Sequence, residues 1–331
     1  MNKILFLFLL LAWASCDVQR QDDPKNAQAL PLVYENLDKE LLAATSAKDV
    51  EIILNKHPRM GHYYFSDFEG TTAELAQQLF QIIDNPDFQR FSNQIDSLVG
   101  NRETAIINPL QQAFGNIKSQ FPSFQAPKIA FIQTGFLGND LYVSDSLIVV
   151  GLDYFGGPQA AFRPQVFDYQ LRRYQSSNIV PAIIYYISER YNRQDPQDQT
   201  LLADMIGIGK SFEFVKQVLP EYPDSLIIGY SEDNLRRAYN SQGDIWAYII
   251  GRKLLYETNI ATKDKYLGER PFVVEMGPDI PGGIGRWIGW RIVNKYVSEH
   301  PEVTLPELMN MDKAGNLLQE ARYKGEKDEE E

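Results

Sequence analysis

Residues 128–158 read KIAFIQTGFLGNDLYVSDSLIVVGLDYFGGP, and this stretch decides the fold class. Lys128-Ile129-Ala130-Phe131-Ile132 is one short apolar run and Tyr142 to Val150 is another. Runs of this length bounded by turn residues read as strands. Gly135, Gly138 and Asn139-Asp140 lie between them, which predicts a small antiparallel hairpin or meander. Gly151-Leu152-Asp153-Tyr154-Phe155-Gly156-Gly157-Pro158 then ends the sheet.

Outward from this stretch the pattern turns helical on both sides. Upstream, Pro31-Leu32-Val33-Tyr34 opens a strand, with Leu37, Leu41 and Leu42 on a helix after it. Leu75, Leu79, Ile82 and Ile83 form one face of a helix with Thr72 as its N-cap. Phe88, Phe91, Ile95 and Leu98 repeat at three-four spacing up to Gly100. A third stripe runs through Ile106, Leu110, Phe114, Ile117 and Phe121, where Pro109 either kinks the helix or marks its first turn. Downstream, helices are predicted over 178–191, 199–219, 232–256 with a break near Gly243, and 283–297. Short ones follow around Leu305 to Met309 and Leu317-Leu318. Helices, a small sheet and more helices give an α+β fold, predominantly helical, without the strict alternation of a doubly wound sheet.

The ends of the chain carry signals of another kind. Lys3 precedes the apolar run Ile4 to Leu11, and Ala14-Ser15 leads into Cys16, the only cysteine. The run is too short to span a bilayer and reads as a signal-peptide core. A small-small-Cys ending is the form cut by lipoprotein signal peptidase, so Cys16 is the expected lipid attachment site, although Trp13 stands where Leu is usual. Several acyl chains on one residue give a stable anchor. Residues 1–15 are then the signal peptide, 16–30 a polar tether, 31–325 the globular domain and 326–331 an acidic tail. Within the domain, 31–125 reads as an N-terminal helical part and 126–325 as a second part. At 44% hydrophobic and 12% aromatic residues, the chain has enough apolar surface to stand on its core without disulfides. The net charge of −12 argues against nucleic acid as a partner and against adhesion to anionic lipid surfaces.

Candidate chemistry is sparse. His57 and His62 flank a turn-like segment, and His300 stands alone before Pro301. That spacing is not a zinc signature, so no metal, cofactor or catalytic residue is predicted. No Gly-x-Ser-x-Gly elbow occurs, and Gly282-Gly283-Ile284-Gly285-Arg286 lacks the ending of a phosphate-binding loop. Its glycines are expected to start a helix abruptly and to let Gly285 and Gly289 approach a neighbouring backbone. Asp153, Glu189, Asp204 and Glu213 lie among apolar residues as candidates for burial, with Lys210 a candidate partner for Asp204.

The second half is similar to the gliding-motility lipoprotein family GldB of the Bacteroidota. The similarity runs through Gly151-Leu152-Asp153-Tyr154-Phe155, Ile179-Val180-Pro181, Leu201 to Ile206 and Gly209-Lys210. It continues through Leu219-Pro220, Ile228-Gly229-Tyr230-Ser231 and Ile245-Trp246, and is strongest from Ile284 to Tyr296. The family in turn resembles predicted zincin-type peptidases, in which a His-Glu-x-x-His helix follows the strand ending near Gly151 and a Glu-Gly pair lies on the next helix. Here those places read Asn178-Ile179-Val180-Pro181-Ala182 and Ile208-Gly209. The resemblance therefore implies a degenerate zincin-like scaffold. Its implied role is non-catalytic: a lipid-anchored component of the gliding and type IX secretion machinery, facing the periplasm and acting through protein contacts. The alternatives are a hydrolase with non-standard metal ligands, or a lipoprotein that binds peptide or glycan in the same cleft.

Overall fold

The computed structural model describes residues 27–325. The signal peptide, Cys16, most of the tether and the acidic tail lie outside the described residues.

Strand β1 (Tyr34–Asn36) and helix α1 (Leu37–Leu42) open the domain, as the run from Pro31 predicts. Helices α2 (Ala47–Lys56), α3 (Thr72–Ile83), α4 (Pro86–Val99) and α5 (Asn108–Gln120) follow. Thr71, not Thr72, caps α3: its hydroxyl accepts from Glu74 N at 3.2 Å, while the Glu74 carboxylate accepts from Thr71 N at 2.7 Å. Two orphan N–H groups are thus satisfied reciprocally. Pro109 sits in the first turn of α5, where a missing N–H costs nothing. Arg102 ties this half together by gripping buried Asp38 at 2.9 and 2.6 Å and Asp96 at 2.7 Å.

The sheet contains β1, β2 (Lys128–Ile132), β3 (Leu141–Val143) and β4 (Leu147–Gly151) in the order β1-β2-β4-β3. It is mixed rather than antiparallel. β2 runs parallel to both β1 and β4, and only β3 is antiparallel to its neighbour. The reason is a turn hidden inside the second apolar run, where Ser144 N donates to Leu147 O at 2.9 Å. The hairpin is therefore β3–β4, and the glycine-bearing stretch before it carries the chain past β4 to the outer edge. Ile148, Val149 and Val150 are fully buried, which suits an interior parallel strand.

After the sheet come α6 (Ile179–Ser188), α7 (Leu201–Val218), α8 (Asp224–Ile228), α9 (Glu232–Asn240) and α10 (Gln242–Gly251). Then follow α11 (Ile260–Leu267), α12 (Ile284–Glu299), α13 (Leu305–Asn310) and α14 (Ala314–Ala321). Mostly helices around a small sheet, this is the expected α+β class. Helices α7 and α12 form its most extensive helix pair. They approach because Gly209 and Gly289 meet: a Cβ on Gly209 would stand 2.5 Å from Gly289 C, and one on Gly289 would collide with Met205 O. The buried apolar residues form one cluster reaching from Leu37 to Tyr323. Trp287 and Trp290 belong to it and Trp246 packs against it, so these indoles are core.

Candidate functional site

Helix α6 has two unlike faces. Ile179, Val180, Ile183, Ile184 and Ile187 are buried in the core. Asn178, at its start, with Pro181, Ala182 and Tyr185 recur at three-four spacing and line an open cleft of about 380 Å³. The opposite wall comes from Leu141 on the sheet edge, Phe155 and Tyr174, and from Leu226 to Gly229 at the end of α8. Phe212 of α7 forms the floor's aromatic contact with Tyr185, ring centres 5.4 Å apart.

The charged groups of the cleft are Asp140, Arg173, Glu269 and Arg286. Arg173 pairs with Glu269 at 3.1 Å and donates to Tyr174 Oη at 3.0 Å. Burial pushes the Tyr174 phenol up to about 12, with the Asp140 charge adding to it. Burial also pushes Tyr185 up to about 12, helped by Glu189. Both remain protonated at neutral pH, so they supply O–H donors and not a base. Several polar atoms here are satisfied by nothing in the protein: Asn178 Oδ1, Arg173 Nε and Arg286 Nε are buried and lack a hydrogen-bond partner. Asn178 itself is 8% exposed.

The residues singled out from sequence do not gather in this cleft. His57 caps the end of α2 and lies 3.6 Å from Glu35. His62 is exposed on the π-turn Met60–Tyr64. His300 ends α12, stacked on Tyr296 with Nδ1 at 2.9 Å from its carbonyl. Among the described residues no group of three or more His, Cys, Asp or Glu stands close enough to hold a metal. Asp153 and Glu213 are buried, Glu189 is exposed and Asp204 is half-buried. Lys210 is not the partner of Asp204, which pairs with Lys263 at 2.6 Å. Lys210 is instead held by three carbonyls, Arg193 O at 2.6 Å, Met311 O at 2.7 Å and Met309 O at 3.3 Å. Six residues along α7 put the two side chains on different faces. Asp153 accepts from Thr134 N at 3.1 Å and Phe136 N at 2.8 Å, fixing the crossing loop. Sequence reasoning missed Arg172, Arg173 and Arg270, because isolated cations in polar segments look like ordinary solvated surface.

A larger groove of about 1350 Å³ lies between the α3–α4 pair and the segment from Ala161 to Leu171. Phe162 on its wall is 51% exposed and meets Phe91 edge-on at 5.3 Å. Nearby Phe167 is 69% exposed.

The whole arrangement, from before β1 to the turn after α14, falls within a match to the family described as gliding motility protein GldB, over residues 18–325. The chain belongs to this family. Membership makes it a gliding-motility protein of the cell envelope, and among its described residues no helix is long and apolar enough to cross a membrane. No curated protein and no solved structure matches the chain.

Proposed function

We propose that the chain is a non-catalytic, lipid-anchored component of the gliding and type IX secretion apparatus, attached through Cys16 and working by protein contacts on the periplasmic side of its membrane. The observation that carries this reading is what α6 and its N-cap offer the cleft: Asn178, Pro181, Ala182, Tyr185 and Tyr186, with neither imidazole nor carboxylate. On the resemblance to zincin-type peptidases, these positions would hold the histidines and Ile208 would be the carboxylate, and the side chains present would not fit zinc. The cleft carboxylates are Asp140 and Glu269, and Glu269 is engaged by Arg173. Solvent-exposed Phe162 and Phe167 beside the large groove favour a contact surface, since exposed aromatics concentrate at interfaces.

Three measurements test this. Radiolabelled palmitate should enter the wild-type protein and not the Cys16→Ser variant; equal labelling of both removes the anchor. Pure protein should carry no stoichiometric zinc and show no chelator-sensitive peptidase turnover; bound zinc would overturn the loss of the metal centre, and chelator-sensitive turnover would establish the hydrolase alternative. Phe162→Asp together with Phe167→Asp should stop gliding in cells while leaving the melting temperature and protein level unchanged. Normal gliding in that double variant would rule the groove out as the contact surface.

A further inference from the structure

The cleft beside α6 continues past Arg173 and Arg286 into a smaller pit of about 40 Å³, also lined by Arg172, Arg270 and Glu269. Four arginines and one acidic residue, Glu269, line the pit, in a chain whose net charge is −12. Glu269 is taken by Arg173 at 3.1 Å, and from outside the pit wall Asp264 reaches Arg270 at 3.4 Å. An excess of positive charge survives both pairings. The backbone is shaped to bring these cations together. A Cβ on Gly282 would run into the Arg270 carbonyl, and one on Gly283 would stand 2.7 Å from Nε and Nη2 of Arg286. Gly283 has φ +70, a conformation that glycine adopts freely. The Tyr230 hydroxyl donates to Gly282 O at 2.8 Å and holds this turn in place.

Clustered like charges with buried, unpartnered nitrogens are unfavourable unless something neutralises them. The planar fork of a guanidinium matches a carboxylate or a phosphate through two parallel hydrogen bonds. The pit has room for one such group, and the cleft leading from it presents Tyr185, Tyr186 and Phe212 along its side. We infer that this pit binds the single carboxylate or phosphate group of a small ligand, whose apolar body lies along α6. The site stands whether or not the chain works in gliding.

The test is calorimetric titration of the mature lipidated chain in detergent with N-acetylphenylalanine, its uncharged amide, and phenyl phosphate. At least one charged probe should bind with a Kd of millimolar or below, and the amide at least tenfold more weakly than N-acetylphenylalanine if the carboxylate is the anion recognised. Which charged probe binds tighter identifies the anion. Arg286→Gln and Arg270→Gln should each weaken that probe tenfold or more without moving the melting curve, whereas Arg236→Gln on α9 should change nothing. Glu269→Gln should tighten binding several-fold, because it removes the competing carboxylate; a purely structural role for Glu269 would not do that. Binding by neither anion, binding of the amide as strong as that of every anion, or indifference to Arg286→Gln overturns the inference.

Discussion

The α7–α12 pair and the cleft beside α6 are neighbours built to opposite rules. The polar side chains of α7 find partners, on α12, on α7 itself and on the segments beside it. Lys210 places its ammonium against three carbonyls, and Glu213 accepts from Trp290 Nε1 at 3.1 Å and from Gln217 at 3.0 Å. In the cleft, Asn178, Arg173 and Arg286 keep buried atoms without partners. A buried polar group whose valences are filled inside the chain is structural, because any ligand would have to displace a bond already made. Where such an open atom belongs to a side chain that also lines a cleft, as in Arg173 and Arg286, fewer internal bonds compete with a ligand.

That contrast can be broken at several points. Lys210→Met should have the largest effect, since it leaves the Arg193 and Met311 carbonyls without this donor, while Met309 O keeps the Arg193 N–H at 2.9 Å; a loss on the order of 3 kcal/mol is expected in urea unfolding. The same residue sets a pH dependence. Burial lowers the Lys210 amine from 10.5 to about 8, against the pull of Asp312. Between those values the unfolded chain holds a proton that the folded chain has released, so unfolding free energy should rise with pH across that window. The rise should be absent in Lys210→Met. Gly289→Ala comes next, with a loss of about 1–3 kcal/mol, because its methyl group meets Met205 O and α7 must move away.

Asp153 tests a site between the two extremes, with one oxygen bonded to two N–H groups and the other unpartnered. Burial raises its carboxyl above the ordinary 3.8, the N–H donors opposing. A raised carboxyl means that stability falls as pH climbs through the folded-state value. Asp153→Asn keeps an acceptor for the loop and should match or exceed wild-type stability at pH 7, while Asp153→Ala orphans Thr134 N and Phe136 N and should lose about 1–3 kcal/mol. The smallest effect belongs to the cleft: Arg286→Gln should change unfolding free energy by no more than about 0.5 kcal/mol. A large loss there would show that Arg286 belongs with the structural group after all.

Much of the fold was legible because it rests on local periodicity. The stripes Leu75–Ile83 and Phe88–Leu98 and the run at 128–132 each predict their element, whereas the run Tyr142 to Val150 divides into two strands. Helix α2 went unread, although Ser46 as cap and Val50, Ile53 and Leu54 at three-four spacing carry the same kind of signal. Helices α8 and α11, five and eight residues long, are too short to carry a period. Strand direction was not legible, since a parallel and an antiparallel interior strand are both continuous apolar runs. Of the cleft, the residue types on α6 could be read directly, but the convergence of Arg172, Arg173, Arg270 and Arg286 could not, because they come from three separated segments of chain.

The sequence by itself determined the longer amphipathic helices, the strand at 128–132 and the absence of histidine and carboxylate from α6. All of these depend on residue type and on spacing within a few turns of chain. Only the tertiary structure decided that β2 and β4 run parallel, that Lys210 faces carbonyls rather than Asp204, and that four arginines share one pit. Such pairings depend on where distant segments meet, and the contact of Gly209 with Gly289 is what sets that distance in the second half.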